Sequence, residues 1–142
     1  MPEVHRLTVR VRYPEADPMG RLHHSVLLVY FEMGRTELMR CRGLVYADME
    51  ARGHHIAIAR AEVRYRVAAR YDDELIVETR VREVRGARVV FGNRVLRADG
   101  EAGETLIAEA EITAALVDAR GRPRRFSPEE KALLLGAGRA ET

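Results

Sequence analysis

Cysteine, tryptophan and long hydrophobic runs are what this chain most lacks. Its single cysteine, Cys41, cannot form an internal disulfide, and within an amphipathic run it reads as a buried thiol. The longest apolar run, Val26 to Phe31, falls far short of the roughly 20 residues that cross a bilayer, and Met1-Pro2-Glu3 lacks the basic-then-apolar pattern of an export signal. The expectation is a cytoplasmic protein with no membrane span. An excess of one charge is missing too: 24 basic and 22 acidic residues nearly cancel, and the basic ones are scattered, which argues against a nucleic-acid partner. Glutamine is absent, and Lys131 and Asn93 are the only residues of their kind. That balance fits a heat-adapted source or, equally, a bias of genome composition, and it leaves arginine, suited to phosphate oxygens, within reach of any cleft. At 142 residues the chain can enclose one core, so residues 1–142 are expected to form one domain.

What is present is period. Leu7, Val9, Val11 and Tyr13 alternate with arginine and threonine, the pattern of a half-buried strand. Pro14, Asp17, Pro18 and Gly20 then turn the chain. From Ser25 to Arg42, apolar residues at Val26, Val29, Tyr30, Met33 and Leu38 follow helical spacing, broadened by Leu27, Leu28 and Phe31 so that the helix should be enclosed on more than one side, and Gly43 is placed to cap it. Alternation returns with Ala57, Ala59, Ala61, Val63 and Tyr65 inward, and again at Leu75 to Arg82. Arg85-Gly86-Ala87 turns into a strand through Val89, Phe91, Asn93 and Val95. After a turn at Asp99 to Gly103, a long strand carries Leu106, Ala108, Ala110, Ile112, Ala114 and Leu116 inward. Ser127 and Glu130 have the form of a capping box on a short helix, and Gly136 to Thr142 is expected to fray. One strand, one long helix, then strands joined by short turns predict an α+β hotdog fold: an antiparallel five-stranded sheet wrapped round one long helix.

The stretch from Arg12 to His24 carries the chemistry. It joins a strand to the enclosed helix, so Asp17 is expected beside the unpaired amides of the first helical turn. A carboxylate next to such amides suits attack on a carbonyl carbon while donors hold the oxygen. On spacing alone, an Asp between two prolines and before a glycine is more often ordinary turn chemistry.

Several fixed positions shift that balance. Tyr13-x-x-x-Asp17-x-x-Gly20, then His24, then Tyr30-Phe31-Glu32-x-x-Arg35-Thr36-Glu37, together with Tyr65 and Ala69-Arg70-Tyr71-Asp72-Asp73-Glu74-Leu75, resembles the 4-hydroxybenzoyl-CoA thioesterase family. The likeness is greatest to its acyl-CoA thioesterase branch associated with the Tol-Pal system, and it covers residues 5 to 118. The resemblance implies an acyl-CoA thioesterase without cofactor, with Asp17 as nucleophile or general base and the backbone N–H at His24 polarising the thioester carbonyl. It also implies a homodimer or homotetramer with sites between protomers. Ala16 stands where the family often has Thr, Val26-Leu27 where it has Asn-Tyr, His23 where it has Tyr, and Ala68 where it has Pro. The apolar Val26 and Leu27 point to an aliphatic or plain aromatic acyl group.

Other readings weigh less. His54-His55 and His23-His24 invite a metal, yet neighbouring histidines on a strand face opposite ways and no third ligand has a suitable spacing. Arg122, Arg124 and Arg125 either meet coenzyme A phosphates or form a solvated turn. Glu32 reads as a surface partner of Arg35 or Thr36 ahead of a group pointing into the cleft near Asp17, and the imidazole of His24 as capping, packing, orienting water or holding Asp17. Two rival functions remain: an acyl-CoA-binding regulatory module, which needs no carboxylate at the thioester, and a hotdog dehydratase of 3-hydroxyacyl thioesters using a His/Asp pair.

Overall fold

The computed structural model describes residues 4–136. In chain order these form β1 (His5–Arg10), α1 (Val26–Cys41), α2 (Tyr46–Ala51), β2 (His55–Tyr65), β3 (Glu74–Arg85), β4 (Arg88–Ala98), β5 (Glu104–Val117) and α3 (Pro128–Leu134). All strand pairs are antiparallel, in the order β1-β3-β4-β5-β2. The expected α+β hotdog fold is present, its sheet wrapped round α1. Residues 137–142, expected to fray, lie outside the described residues.

The helix buries Leu27, Tyr30, Phe31, Gly34, Leu38 and Met39 at intervals of three and four residues. This stripe is rotated from the expected one. Val29 and Met33 face outward with Leu28, so within one protomer the helix is covered on one side only. Gly34 accounts for the rotation: a Cβ there would overlap Thr79 Oγ1, so the line of closest approach to the sheet runs through Gly34 and its helical neighbours. The core divides at that line. Leu38, Met39, Leu44, Met49, Phe91 and Leu134 pack round the C-terminal half of α1, and Val11, Leu27, Tyr30, Phe31, Leu75 and Ile107 round the N-terminal half.

Two register shifts correct the strand readings. β2 slips against β5 between Ile58 and Arg60, so the helix-facing set is Ile56 and Ile58, then Ala61, Val63 and Tyr65; Ala57 and Ala59 do not belong to it. β4 slips against β5 between Val95 and Leu96, and Ile107 enters the core where Leu106 was expected. Cys41, expected buried, is exposed at the last turn of α1. The six-residue α2 has no counterpart in the sequence reading: it buries only Met49, too little for a period to show. The capping box of α3 forms as expected, with Ser127 Oγ accepting from the Glu130 N–H (3.0 Å) and Glu130 Oε1 from the Ser127 N–H (2.8 Å).

The sheet's two edges differ. β1 is six residues long and its arginines are ion-paired, Arg6 to Glu78 and Glu104, Arg10 to Glu74. β2 is eleven residues long and exposes Ile58 and Tyr65. Only the first has the short, charged form that keeps an edge from pairing.

Candidate active site

The loop between β1 and α1 is braced before it reaches Asp17. Tyr13, expected to end the first strand, instead opens a single 3-10 turn over Tyr13–Glu15, where Pro14 favours the bend. Its ring lies edge-on to Tyr71 at 5.4 Å. The turn delivers Glu15 inward. There its carboxylate accepts from the Arg12 N–H (2.8 Å), the Arg12 guanidinium (3.1 and 3.2 Å) and the buried Tyr30 hydroxyl (2.8 Å). The Glu15 carbonyl accepts from the His23 N–H at 2.9 Å. One glutamate thus ties both ends of the loop to α1. Burial raises the pKa of Glu15, but the Arg12 amide, the Tyr30 hydroxyl and the Arg12 guanidinium outweigh it and hold the pKa below the ordinary 4.5. Burial, then the Glu15 hydrogen bond and charge, push the Tyr30 phenol well above its ordinary 10.0.

Asp17 sits at the turn this bracing creates. Its N–H donates to the Arg21 carbonyl (2.7 Å), and its carbonyl accepts from Gly20 (2.9 Å). Its Oδ1 accepts from the amides of Met19 (2.9 Å) and Arg21 (3.1 Å). The amides holding the carboxylate are therefore those of its own loop, and the first turn of α1 was expected to offer unpaired amides beside it. Those helical amides are otherwise engaged: Val26, Leu27 and Leu28 donate to the carbonyls of His23, His24 and Ser25 at 3.0, 3.3 and 3.2 Å. The Ser25 N–H donates to His23 Nδ1 (3.2 Å), so that amide too is met by a side chain of the loop, while the N-cap Ser25 makes no side-chain cap bond. Among the described residues, the His24 N–H alone at this junction donates to no protein group.

Asp17 and His24 line one cleft of about 270 Å³, with Leu27 and Ile107 as apolar floor and Tyr65 to Ala69 as the far wall. The His24 ring is stacked on His23 at 4.3 Å and meets Tyr65 edge-on at 6.3 Å. The structure thus brings both expected residues together, Asp17 half-buried and His24 exposed. Glu32 is exposed and absent from the cleft, in keeping with its surface reading. Arg124 and Arg125 lie elsewhere, round a second cavity with His54. Glu15 is the residue the sequence reading missed, and Tyr30 and Tyr65 were read there as motif positions without a role in the site. Arg12-x-x-Glu15 has the three-residue spacing of a capping box, and that was the available signal. Among the described residues, no three His, Cys, Asp or Glu side chains gather as metal ligands would.

A profile of the Thioesterase-like superfamily matches residues 11–134. The chain belongs to this superfamily. The acyl-CoA thioesterase YbgC of Haemophilus influenzae is 33% identical over 126 residues, 87% of this chain and 89% of that one. The hypothetical protein TT1821 from Thermus thermophilus is 30% identical, and its crystal structure matches with a TM-score of 0.83 over 92% of this chain and 96% of that one. A 4-hydroxybenzoyl CoA thioesterase mutant complexed with 4-hydroxybenzoyl CoA is 18% identical and shares the fold, with a TM-score of 0.85 over 92% and 98% of the two chains. Kinship to thioesterases, read first from the Tyr13 to Glu37 motif, therefore holds across most of this superfamily member. Among its described residues no helix is long and apolar enough to cross a membrane.

Proposed function

We propose that this protein hydrolyses acyl-CoA thioesters to a free acid and coenzyme A in the cytoplasm, as one hotdog domain over residues 1–142. The observation that carries this is the pairing in one cleft of a carboxylate fixed by two amides and a backbone N–H, that of His24, with no partner among the described residues. A thioester carbonyl placed there meets a donor at its oxygen and an oxygen nucleophile at its carbon. Asp17 acts in one of two ways. It adds its own carboxylate oxygen to the carbonyl carbon, giving an anhydride that water opens, or it takes a proton from water as the water adds. In both, the carbon–sulfur bond breaks, the sulfur leaves as thiolate and the His24 N–H steadies the negative oxygen between. The floor of Leu27 and Ile107 favours an aliphatic or plain aromatic acyl group.

The cleft is open at the β2 edge, and α1 leaves Leu28, Val29 and Met33 uncovered. A second copy pairing along β2 would cover that face and close the cleft, which supports a homodimer at least, with a homotetramer as a further step. The similarity to the Haemophilus influenzae enzyme supports the same reading of substrate.

Incubation with acyl-CoAs of several chain lengths, with titration of free thiol, tests the proposal. Steady thiol release supports hydrolysis. Hydration of an enoyl-CoA without thiol release would establish the dehydratase instead, and tight binding with neither reaction would establish the regulatory module. A single turnover in ¹⁸O-water with the protein in excess separates the two routes: label in the Asp17 carboxylate requires the anhydride, opened by water at the Asp17 carbon, whereas water activated by Asp17 delivers the label to the acid product alone.

A further inference from the structure

Four residues stand opposite one another in a single row across the sheet: His5 on β1, Thr79 on β3, Asn93 on β4 and Ala110 on β5. Directly opposed residues of an antiparallel pair point to the same face. Thr79 faces α1, since a Cβ on Gly34 would overlap its Oγ1, so the row lies under the middle of the helix. The rows on either side are hydrocarbon. Leu7, Val77, Val95 and Ala108 lie toward the Asp17 cleft, and Val81, Phe91 and Ile112 toward the C-terminal end of α1.

Polar groups in such a place need partners. Thr79 is fully buried and Asn93 nearly so. The Asn93 amide is oriented by its own strand: Nδ2 donates to the Phe91 carbonyl at 3.5 Å, which leaves Oδ1 to find an acceptor's partner elsewhere. Among the described residues neither Asn93 Oδ1 nor Thr79 Oγ1 has one, and His5 Nδ1, buried at the β1 end of the row, has none either. Burying these atoms without any hydrogen bond would cost the fold the full desolvation of each. The Cβ atoms of directly opposed residues are about 4.5–5.5 Å apart, a span that one water covers with a bond of about 2.8 Å to each side. Thr79 offers a hydroxyl that gives or accepts and Asn93 an oxygen that accepts, which supplies the two partners an internal water needs at the least.

We infer that this row is an internal water site: one water bridges Thr79 Oγ1 and Asn93 Oδ1 under Gly34, and His5 Nδ1 marks its outlet toward the β1 edge. The bridge ties β3 to β4 through side chains where α1 comes closest to the sheet, and it interrupts the hydrocarbon between the two halves of the core. It stands whether or not the protein cleaves thioesters. Oxygen-17 relaxation dispersion of the solvent, which counts waters held for longer than the protein tumbles, tests it on the unmodified protein, Thr79→Ser and Thr79→Val/Asn93→Leu. Thr79→Ser keeps the hydroxyl and should keep the dispersion amplitude, whereas the double variant should lower it by the equivalent of one water. Denaturant unfolding gives a second readout. Thr79→Val alone strands Asn93 Oδ1 and should raise the unfolding equilibrium constant by about tenfold or more, and adding Asn93→Leu should restore most of that loss, because removing both polar partners together is close to neutral. An unchanged amplitude in the double variant, or two losses that simply multiply, would overturn the inference. If the variants do not fold, a high-resolution crystal structure of the unmodified protein decides: a water within about 3.2 Å of both oxygens supports the site, and a dry contact or a direct bond from the Thr79 hydroxyl to a protein group overturns it.

Discussion

At the C-terminal end of α1, Leu38 and Met39 are closed in by Leu44, Met49, Phe126 and Leu134, and the surrounding elements supply almost nothing but hydrocarbon. At the N-terminal end, Leu27 is the floor of an open cleft whose rim carries Asp17, His24 and Tyr65, and the polar groups there are held by a loop. Both ends rest on one helix, yet one is sealed by packing and the other positioned by hydrogen bonds. Stability and chemistry should therefore be separable along α1, with Gly34 near the divide.

The largest break in that comparison is expected at the sealed end. Leu134→Ala empties a fully buried position and should cost about 2–5 kcal/mol in denaturant unfolding, with the turnover of each folded molecule unchanged. A parallel loss of turnover would show that the two ends are not independent. At the divide, Gly34→Ala forces a methyl into Thr79 and should cost about 1–3 kcal/mol while also lowering turnover, because it lifts both halves of the helix from the sheet.

At the open end, Tyr30→Phe leaves Glu15 short of a buried donor and should cost about 1–2 kcal/mol, with kcat falling more than KM changes as the Asp17 loop loosens. Its pH dependence has a definite sign. The Glu15 pKa in the folded protein lies below 4.5, so this network stabilises fully above that pH and the contribution is lost as the pH falls through the lowered value. Glu15→Gln should accordingly flatten the acid limb of a stability–pH curve below about pH 5. The Tyr30 pKa is raised, so its contribution is present below pH 10.0 and is lost as the pH rises beyond it. Ser127→Ala, which removes one cap of the short α3, is the smallest effect, about 1 kcal/mol and none on turnover.

The legible parts of the sequence were those where one period or one local motif decides the outcome. α1, the β3–β4 hairpin and the Ser127 capping box are of that kind. The rotation of α1 was hidden because it depends on Gly34 meeting Thr79, forty-five residues on, and no helical period records that contact. The faces of β2 reversed at a bulge, which a strict alternation of two cannot carry. At the site, the motif identified Asp17 and His24, and the cleft contains both. Why the carboxylate stays put was not legible: Asp17 is held by Met19 and Arg21, and the loop by Glu15 through Tyr30, a contact made across the fold.

The central claim is that Asp17 delivers the attack on a thioester seated at the His24 amide. Free-thiol titration of Asp17→Asn against the unmodified protein tests it most directly, with thermal unfolding measured alongside. The account predicts a loss of about 10²- to 10⁴-fold in turnover at unchanged stability. Thiol release by the correctly folded Asp17→Asn protein at the unmodified rate would contradict it.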